Sequence, residues 1–133
     1  MQEPRLFEYA VIRVVPHVER EEFLNAGVIL YCASERFLEC MTDVNEERLK
    51  VLCDSLDFGE LGNHIQSFKR ICAGGPDAGP IGKLSMPERF RWLTSPRSTM
   101  VQTSKVHPGL CTDAREMLNR LYHQLVDTTG MQR

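Results

Sequence analysis

The sequence lacks three features that would assign it to a common functional class. No apolar run approaches the roughly 20 residues that a membrane-spanning helix needs, so no such helix is expected. No C-x-x-C pair occurs, which argues against zinc ribbons and thioredoxin-like redox sites. The 16 Lys and Arg residues nearly balance 18 Asp and Glu residues, and a net charge of −2 gives no general attraction to nucleic acid.

A secretory signal is also missing from the beginning of the sequence, where Glu3 precedes a strand-like segment. The protein is therefore predicted to be cytoplasmic. Its five cysteines are odd in number and widely spaced, so we expect them to be reduced. His107 and Cys111 have a spacing that suits a metal ion, but no second pair accompanies them. The sequence thus predicts neither a metal site nor a cofactor.

The residues that are present have an ordinary globular composition, with 42% hydrophobic and 26% charged among 133 residues. That length suits a single domain, which we assign to residues 1–133 with a core at about 6–126. Runs of apolar and β-branched residues predict four strands, namely Leu6–Pro16, Ala26–Cys32, Phe37–Thr42 and Thr99–Val106. The first strand is apolar on both parities, which indicates that both of its faces are covered.

After the third strand the hydrophobic period changes to that of helices. Polar capping residues followed by apolar stripes predict helices at about residues 45–55, 58–72, 85–93 and 113–126. The Gly- and Pro-rich segment 73–83 is predicted to be a flexible loop, and residues 127–133 to be a frayed tail. The fold class is therefore α+β, with three to four helices packed on a small antiparallel sheet of about four strands.

Five polar residues are candidates for binding an anion or a partner: Arg13, Asn25, Arg97, Ser98 and Thr99. Arg13 lies within the first apolar strand, where a buried charge needs a partner such as Glu39 or an acid of the following connection. Asn25 precedes a buried strand and is expected to bond turn backbone. Arg97 stands beside two hydroxyls, a pattern typical of anion recognition. An architectural role stays open for Arg97, in which it pairs with an acid of the N-terminal half.

The charge distribution makes the segment around Arg97 basic. Residues 83–107 contain five Lys and Arg against one acid, a net of +4, whereas residues 1–50 contain six against ten, a net of −4. The two segments are expected either to form separate solvated surfaces or to pair within one fold. No nucleophile has an activating frame, and Leu84 stands where a P-loop after Gly82-Lys83 requires Ser or Thr. We therefore assign no catalytic residue.

Two motifs carry a resemblance to a known family. Tyr9–Pro16 followed by Glu21–Leu30 contains F-x-N-x-G-V, and Arg91–Gln102 contains S-P-R-S-T. With a Gly109 to Asp113 ending, the chain resembles, over about residues 6–127, a bacterial family catalogued as domain of unknown function 3037. The resemblance implies a bacterial cytosolic origin and brings no assigned activity. Members of this family are often encoded beside a HipA-like kinase domain, so the resemblance further implies a partner or accessory role.

Three functional interpretations follow. The first is a non-catalytic binding or accessory module that docks on a protein partner, for which the resemblance suggests a HipA-like kinase. The alternative is an enzyme or nucleic-acid processing factor that acts on an anionic substrate through the Arg, Asn, Ser and Thr cluster. The third is a structural protein whose polar residues are satisfied internally. The alternative requires the five candidate residues to converge in one cleft, which only the tertiary structure can show.

Overall fold

The computed structural model describes residues 3–127, which form a five-stranded antiparallel sheet with helices on both faces. Its strands are β1 (Arg5–Val14), β2 (Leu24–Cys32), β3 (Phe37–Thr42), β4 (Val101–Thr103) and β5 (His107–Cys111). The strand order is β3-β2-β1, and both β4 and β5 pair with the other side of β1. This arrangement confirms the α+β class and the predicted hairpin of β2 and β3 beside β1.

Four α-helices of the described chain cover the sheet: α1 (Glu46–Leu52), α2 (Phe58–Ala73), α3 (Met86–Leu93) and α4 (Ala114–Leu125). Each begins after a polar side chain that accepts a hydrogen bond from a first-turn amide, and these caps are Asn45, Asp57, Ser85 and Asp113. Ser85 and Glu88 form the reciprocal capping box that their spacing predicts. The predicted helices are confirmed, although α1 ends earlier because Cys53 takes an extended conformation.

β1 and β2 contribute to two hydrophobic clusters, one on each side of the sheet. The larger cluster packs against α1, α2 and α3 and includes Ile12, Ile29 and Phe90. The smaller cluster packs against α4 and includes Phe7 and Leu118. Successive residues of a strand point to opposite faces, so neighbours along β1 enter different helical layers. The prediction that the first strand is covered on both faces is confirmed.

The predicted strand Thr99–Val106 is wrong in its extent, because only β4 (Val101–Thr103) forms within it and β5 begins just beyond it, at His107. β5 contains Pro108 and Gly109, which remove the usual strand pattern from the sequence. Proline is tolerated because β5 lies at the edge of the sheet, beside β1. A Cβ atom on Gly109 would lie 2.6 Å from the Phe7 ring, so glycine permits the close approach of the two strands.

The Gly- and Pro-rich segment contains more local structure than its composition indicates. Two short 3-10 turns, Pro76–Ala78 and Ile81–Lys83, are linked by a hydrogen bond from the Gly75 amide to the Gly82 carbonyl oxygen at 3.1 Å. Its flexibility stays a prediction, and residues 128–133 of the predicted tail lie outside the described residues. Among residues 3–127, no helix has the length and hydrophobicity needed to cross a membrane.

Candidate functional site

The five candidate residues lie on two sides of the sheet rather than in one cleft. Arg13 and Asn25 are on the side that α4 covers. Arg97 and Thr99 line a cleft on the side of α2 and α3. Ser98 is exposed and is not among the residues that line this cleft. The five residues therefore do not form a single anion-binding cluster.

Asn25 supports the end of a helix. A β-bulge at Ala26 places Arg13 opposite Asn25 in the pairing of β1 with β2. The Asn25 Nδ2 atom donates a hydrogen bond to the Leu125 carbonyl oxygen at 3.1 Å, which satisfies one of the open carbonyl groups at the C-terminal end of α4. The bond from Asn25 to backbone is present as predicted, but it joins a helix rather than a turn.

Arg13 is held by an aromatic ring rather than by an acid. Its Cζ atom lies 4.1 Å from the centroid of the Phe23 ring. Its Nε atom is buried and has no hydrogen-bond partner within the described chain. Glu39, one of the predicted acidic partners, pairs instead with Arg115. Stacking on Phe23 thus explains how a strand inside the sheet accommodates a guanidinium group.

The opposite side carries a cleft of about 420 Å³ between α2, the end of α3 and the segment that leads into β4. We call it the Trp92 cleft, because Trp92 forms one side and is 39% exposed. Its floor consists of apolar residues of the larger cluster, namely Phe68, Ile71, Leu93 and Val101. Its polar lining consists of His64, Ser67, Ser95, Arg97 and Thr99. An apolar floor with a few polar groups is the usual composition of a binding site.

Arg97 supplies the positive charge of the Trp92 cleft. Its guanidinium stacks on the Trp92 ring, with Cζ 4.5 Å from the ring centroid, and its Nη2 atom donates to the Trp92 carbonyl oxygen. Partial burial lowers the pKa of Arg97, although the guanidinium stays protonated near neutral pH. No carboxylate pairs with Arg97 among residues 3–127, so the expected ion pair with the N-terminal half is not observed.

Two of the hydroxyl groups near Arg97 donate hydrogen bonds to the backbone. The Ser95 hydroxyl donates to the Arg91 carbonyl oxygen at 2.7 Å, which helps to complete the last turn of α3. The Thr99 hydroxyl donates to the Val101 carbonyl oxygen at 2.9 Å. These contacts hold the segment in place. Anion recognition here therefore depends on the Arg97 guanidinium, while the hydroxyls support its position.

His64 and Ser67 also line the Trp92 cleft, although the sequence motifs do not indicate them. Both lie on α2, at helical spacings from Phe68 and Ile71, so the four residues share one stripe of the helix. This helical spacing is the sequence feature that could have identified His64 and Ser67. Polar residues within an otherwise apolar stripe indicate a helix face that is not fully packed.

A second cavity, of about 450 Å³, lies beside the edge strand β3 and is lined by Cys40 and Cys72. Hydrogen bonding with Cys72 lowers the pKa of Cys40, and Lys69 acts in the same direction. The same contact, together with burial, raises the pKa of Cys72. No histidine, the usual base that activates a catalytic cysteine, is among the described residues that line this cavity.

Together these features define a small α+β protein whose sheet is covered on both faces and whose Trp92 cleft holds an arginine without a carboxylate partner in the described chain. The chain belongs to the family described as "Protein of unknown function (DUF3037)", whose model matches residues 9–126. This match covers nearly the whole chain and confirms the resemblance inferred from the sequence motifs. No curated protein and no solved structure matches the chain.

Proposed function

We propose that the protein is a non-catalytic binding module that docks an acidic segment of a protein partner in the Trp92 cleft. The observation that carries this proposal is the Arg97 guanidinium, which has no carboxylate partner among residues 3–127 and lies beside an apolar floor. The partner would place a carboxylate against Arg97 and an apolar side chain against Phe68 and Ile71. A bidentate pair between a guanidinium and a carboxylate provides both energy and orientation.

Charge complementarity favours an acidic occupant. None of the described residues that line the cleft is acidic. Arg97 lines the cleft and belongs to segment 83–107, which has five Lys and Arg against one acid, so the segment attracts negative charge. Complementary charge speeds association and selects the partner more than it raises affinity. The volume of about 420 Å³ accommodates a few side chains, which suits a short segment.

A HipA-like kinase is the partner class that the family resemblance suggests, and an acidic segment of such a kinase would be the occupant. The alternative function, an enzyme or nucleic-acid processing factor acting on an anionic substrate, requires the five candidate residues in one place. Because the sheet separates Arg13 and Asn25 from Arg97, the site favours docking over that alternative.

The test is a titration with an acidic peptide that carries one apolar anchor residue, with affinity measured by the anisotropy of a label on the peptide. A basic peptide of the same length and anchor should bind more weakly. Arg97→Ala should weaken binding of the acidic peptide by about tenfold or more, since a charge-assisted hydrogen bond contributes about 1.5–3 kcal/mol. Arg97→Lys should retain part of the affinity, because lysine keeps the charge and loses the planar fork.

Arg91→Ala is the matched control, because Arg91 is an exposed arginine of α3 that does not line the cleft. It should leave affinity nearly unchanged. Thermal unfolding of the Arg97 variants should reflect the lost stacking on Trp92, about 0.5–1 kcal/mol, together with the lost hydrogen bond to the Trp92 carbonyl oxygen. Equal losses from Arg91→Ala and Arg97→Ala would indicate non-specific charge attraction. Unchanged affinity in both Arg97 variants would reject the cleft as the docking site.

A further inference from the structure

Three side chains with metal-ligating atoms meet on the side of the sheet that α4 covers. The Sγ atoms of Cys32 and Cys111 and a carboxylate oxygen of Glu35 all lie within 4.8 Å of one another. Both cysteines are buried and Glu35 is half-buried. This cluster is separate from the Trp92 cleft, which lies against α2 and α3.

The topology brings these residues together although they are distant in sequence. Cys32 ends β2 and Cys111 ends β5, and both of these strands pair with β1. Glu35 closes the 3-10 turn that follows β2, so Cys32 and Glu35 form a C-x-x-E pair on one tight turn. Arg36, in the left-handed conformation at φ 52°, then returns the chain into β3.

Cys32 and Cys111 are both free cysteines, and their Sγ atoms lie within 4.8 Å of each other. At the tetrahedral angle, Zn–S bonds of about 2.3 Å place two sulfur atoms roughly 3.8 Å apart, a separation compatible with the 4.8 Å limit of this cluster. Two thiolates and a carboxylate are a donor set that zinc accepts.

The surroundings of Glu35 resemble a second coordination shell. Arg5 Nη1 lies 3.2 Å from Glu35 Oε2, and the Ala114 amide donates to the same oxygen at 3.2 Å. Arg5 is itself fixed by donating to the Thr112 carbonyl oxygen at 3.0 Å. Ligating carboxylates are oriented by such hydrogen bonds. The Arg5 charge also offsets the negative charge that two thiolates and one carboxylate leave around a divalent ion.

Solvent reaches the cluster at Glu35, whose side chain is 23% exposed. Cys111 lines a cavity of about 290 Å³ together with Thr112 and Asp113, at the beginning of α4. A water molecule occupies about 30 Å³ of liquid volume, so this cavity has room for hydrated ions and for a fourth ligand. The cluster thus combines three ligands, oriented carboxylate oxygens and access.

We propose that Cys32, Glu35 and Cys111 bind a divalent cation of the zinc type, with the fourth coordination position facing the cavity beside Cys111. This proposal departs from the prediction of no metal, which rested on cysteine spacing in the sequence. An open fourth position is the arrangement that distinguishes reactive zinc sites from closed structural sites. The site would therefore offer Lewis-acid chemistry or a ligand-dependent surface, independently of docking in the Trp92 cleft.

The full chain, stripped of metal with a chelator, is titrated with Co²⁺ as a spectroscopic substitute for zinc. We expect a thiolate-to-cobalt charge-transfer band that saturates at about one equivalent, and displacement of cobalt by Zn²⁺. Cys32→Ser and Cys111→Ser should lose the band. Cys53→Ser should keep it, because Cys53 is a buried cysteine outside the cluster. Glu35→Gln should weaken Co²⁺ binding by about tenfold or more while both thiolates remain.

If the serine variants do not fold, metal binding is tested with the wild-type protein. Zn²⁺ should raise its melting temperature, since an ion that binds only the folded state stabilises that state. X-ray absorption of the zinc-loaded protein should show sulfur and lighter-atom neighbours together. Absence of the charge-transfer band, an equal loss in Cys53→Ser, or an unchanged melting temperature with zinc would overturn the proposal.

Discussion

Gly27 lies where β2 comes too close to β3 for a side chain. A Cβ atom there would lie 2.5 Å from the Met41 carbonyl oxygen and 2.9 Å from Thr42 Cγ2. The backbone of β3 cannot move away without breaking its pairing with β2. We expect Gly27→Ala to reduce the free energy of unfolding by about 1–3 kcal/mol, the usual cost of overpacking, as measured by urea denaturation.

Gly62 is the matched control for this substitution. It lies in the interior of α2, and a Cβ atom there would meet nothing within 4 Å. Gly62→Ala should therefore stabilise the protein by about 0.5–1 kcal/mol, because alanine is the better helix former. Stabilisation by both substitutions would contradict the prediction, because it would mean that β2 and β3 leave room for a side chain at position 27.

Both arginines among the candidate residues stack on an aromatic ring. Arg13 stacks on Phe23 and Arg97 stacks on Trp92, and neither forms an ion pair in the described chain. A guanidinium is weakly hydrated and planar, so an aromatic face is a suitable partner for it. The two arginines differ in that Arg97 lines the Trp92 cleft and Arg13 does not.

α2 is the element that connects stability with the proposed docking site. It carries the cleft residues His64, Ser67 and Phe68, and its first turn depends on Asp57, whose side chain accepts from the Glu60 amide at 3.0 Å. Asp57→Ala should cost about 0.5–2 kcal/mol of unfolding free energy, the usual effect of losing a cap. Binding of the acidic peptide should stay the same as long as the variant is folded.

Asp54→Ala serves as the control for Asp57→Ala. Asp54 is an exposed acid three residues earlier and does not cap a helix. Removing it changes the net charge equally, and the denaturation midpoint should move little. If both variants lost the same stability, the effect would come from charge and not from the cap.

At the scale of the whole molecule, β1 and β2 contribute residues to both hydrophobic clusters, so we expect the two layers to unfold together. Leu118 lies in the cluster under α4 and is only 1% exposed, whereas Trp92 lies on the opposite side of the sheet. Leu118→Ala should cost about 2–5 kcal/mol, the range for deleting a buried leucine. Trp92 fluorescence should report this loss, with the same midpoint as far-ultraviolet circular dichroism.

Different midpoints for the two signals would show that the two layers unfold independently. If Leu118→Ala lowered the midpoint measured by circular dichroism and left that of Trp92 fluorescence in place, α4 would unfold on its own. Val101→Ala is the reciprocal control, because Val101 belongs to the cluster on the side of Trp92 and is 6% exposed. Both substitutions should lower both midpoints if the sheet couples the layers.

Local patterns were sufficient to predict most elements of this protein. Caps such as Asp57 and Ser85, and the period of the apolar residues, act between residues a few positions apart. The sequence alone therefore identified the four helices, the strands β1 to β3 and the covering of β1 on both faces. The family resemblance rests on the same kind of local motif and is confirmed by the match over residues 9–126.

Only the tertiary structure decided which residues meet. β5 is a strand because pairing with β1 compensates for Pro108 and Gly109, whose propensities oppose it. Register and strand order placed Arg13 and Arg97 on opposite sides of the sheet, and brought Cys32 and Cys111 to one place. Such neighbours depend on long-range pairing and on which face each residue takes, and a shift of one residue in a strand would reverse that choice.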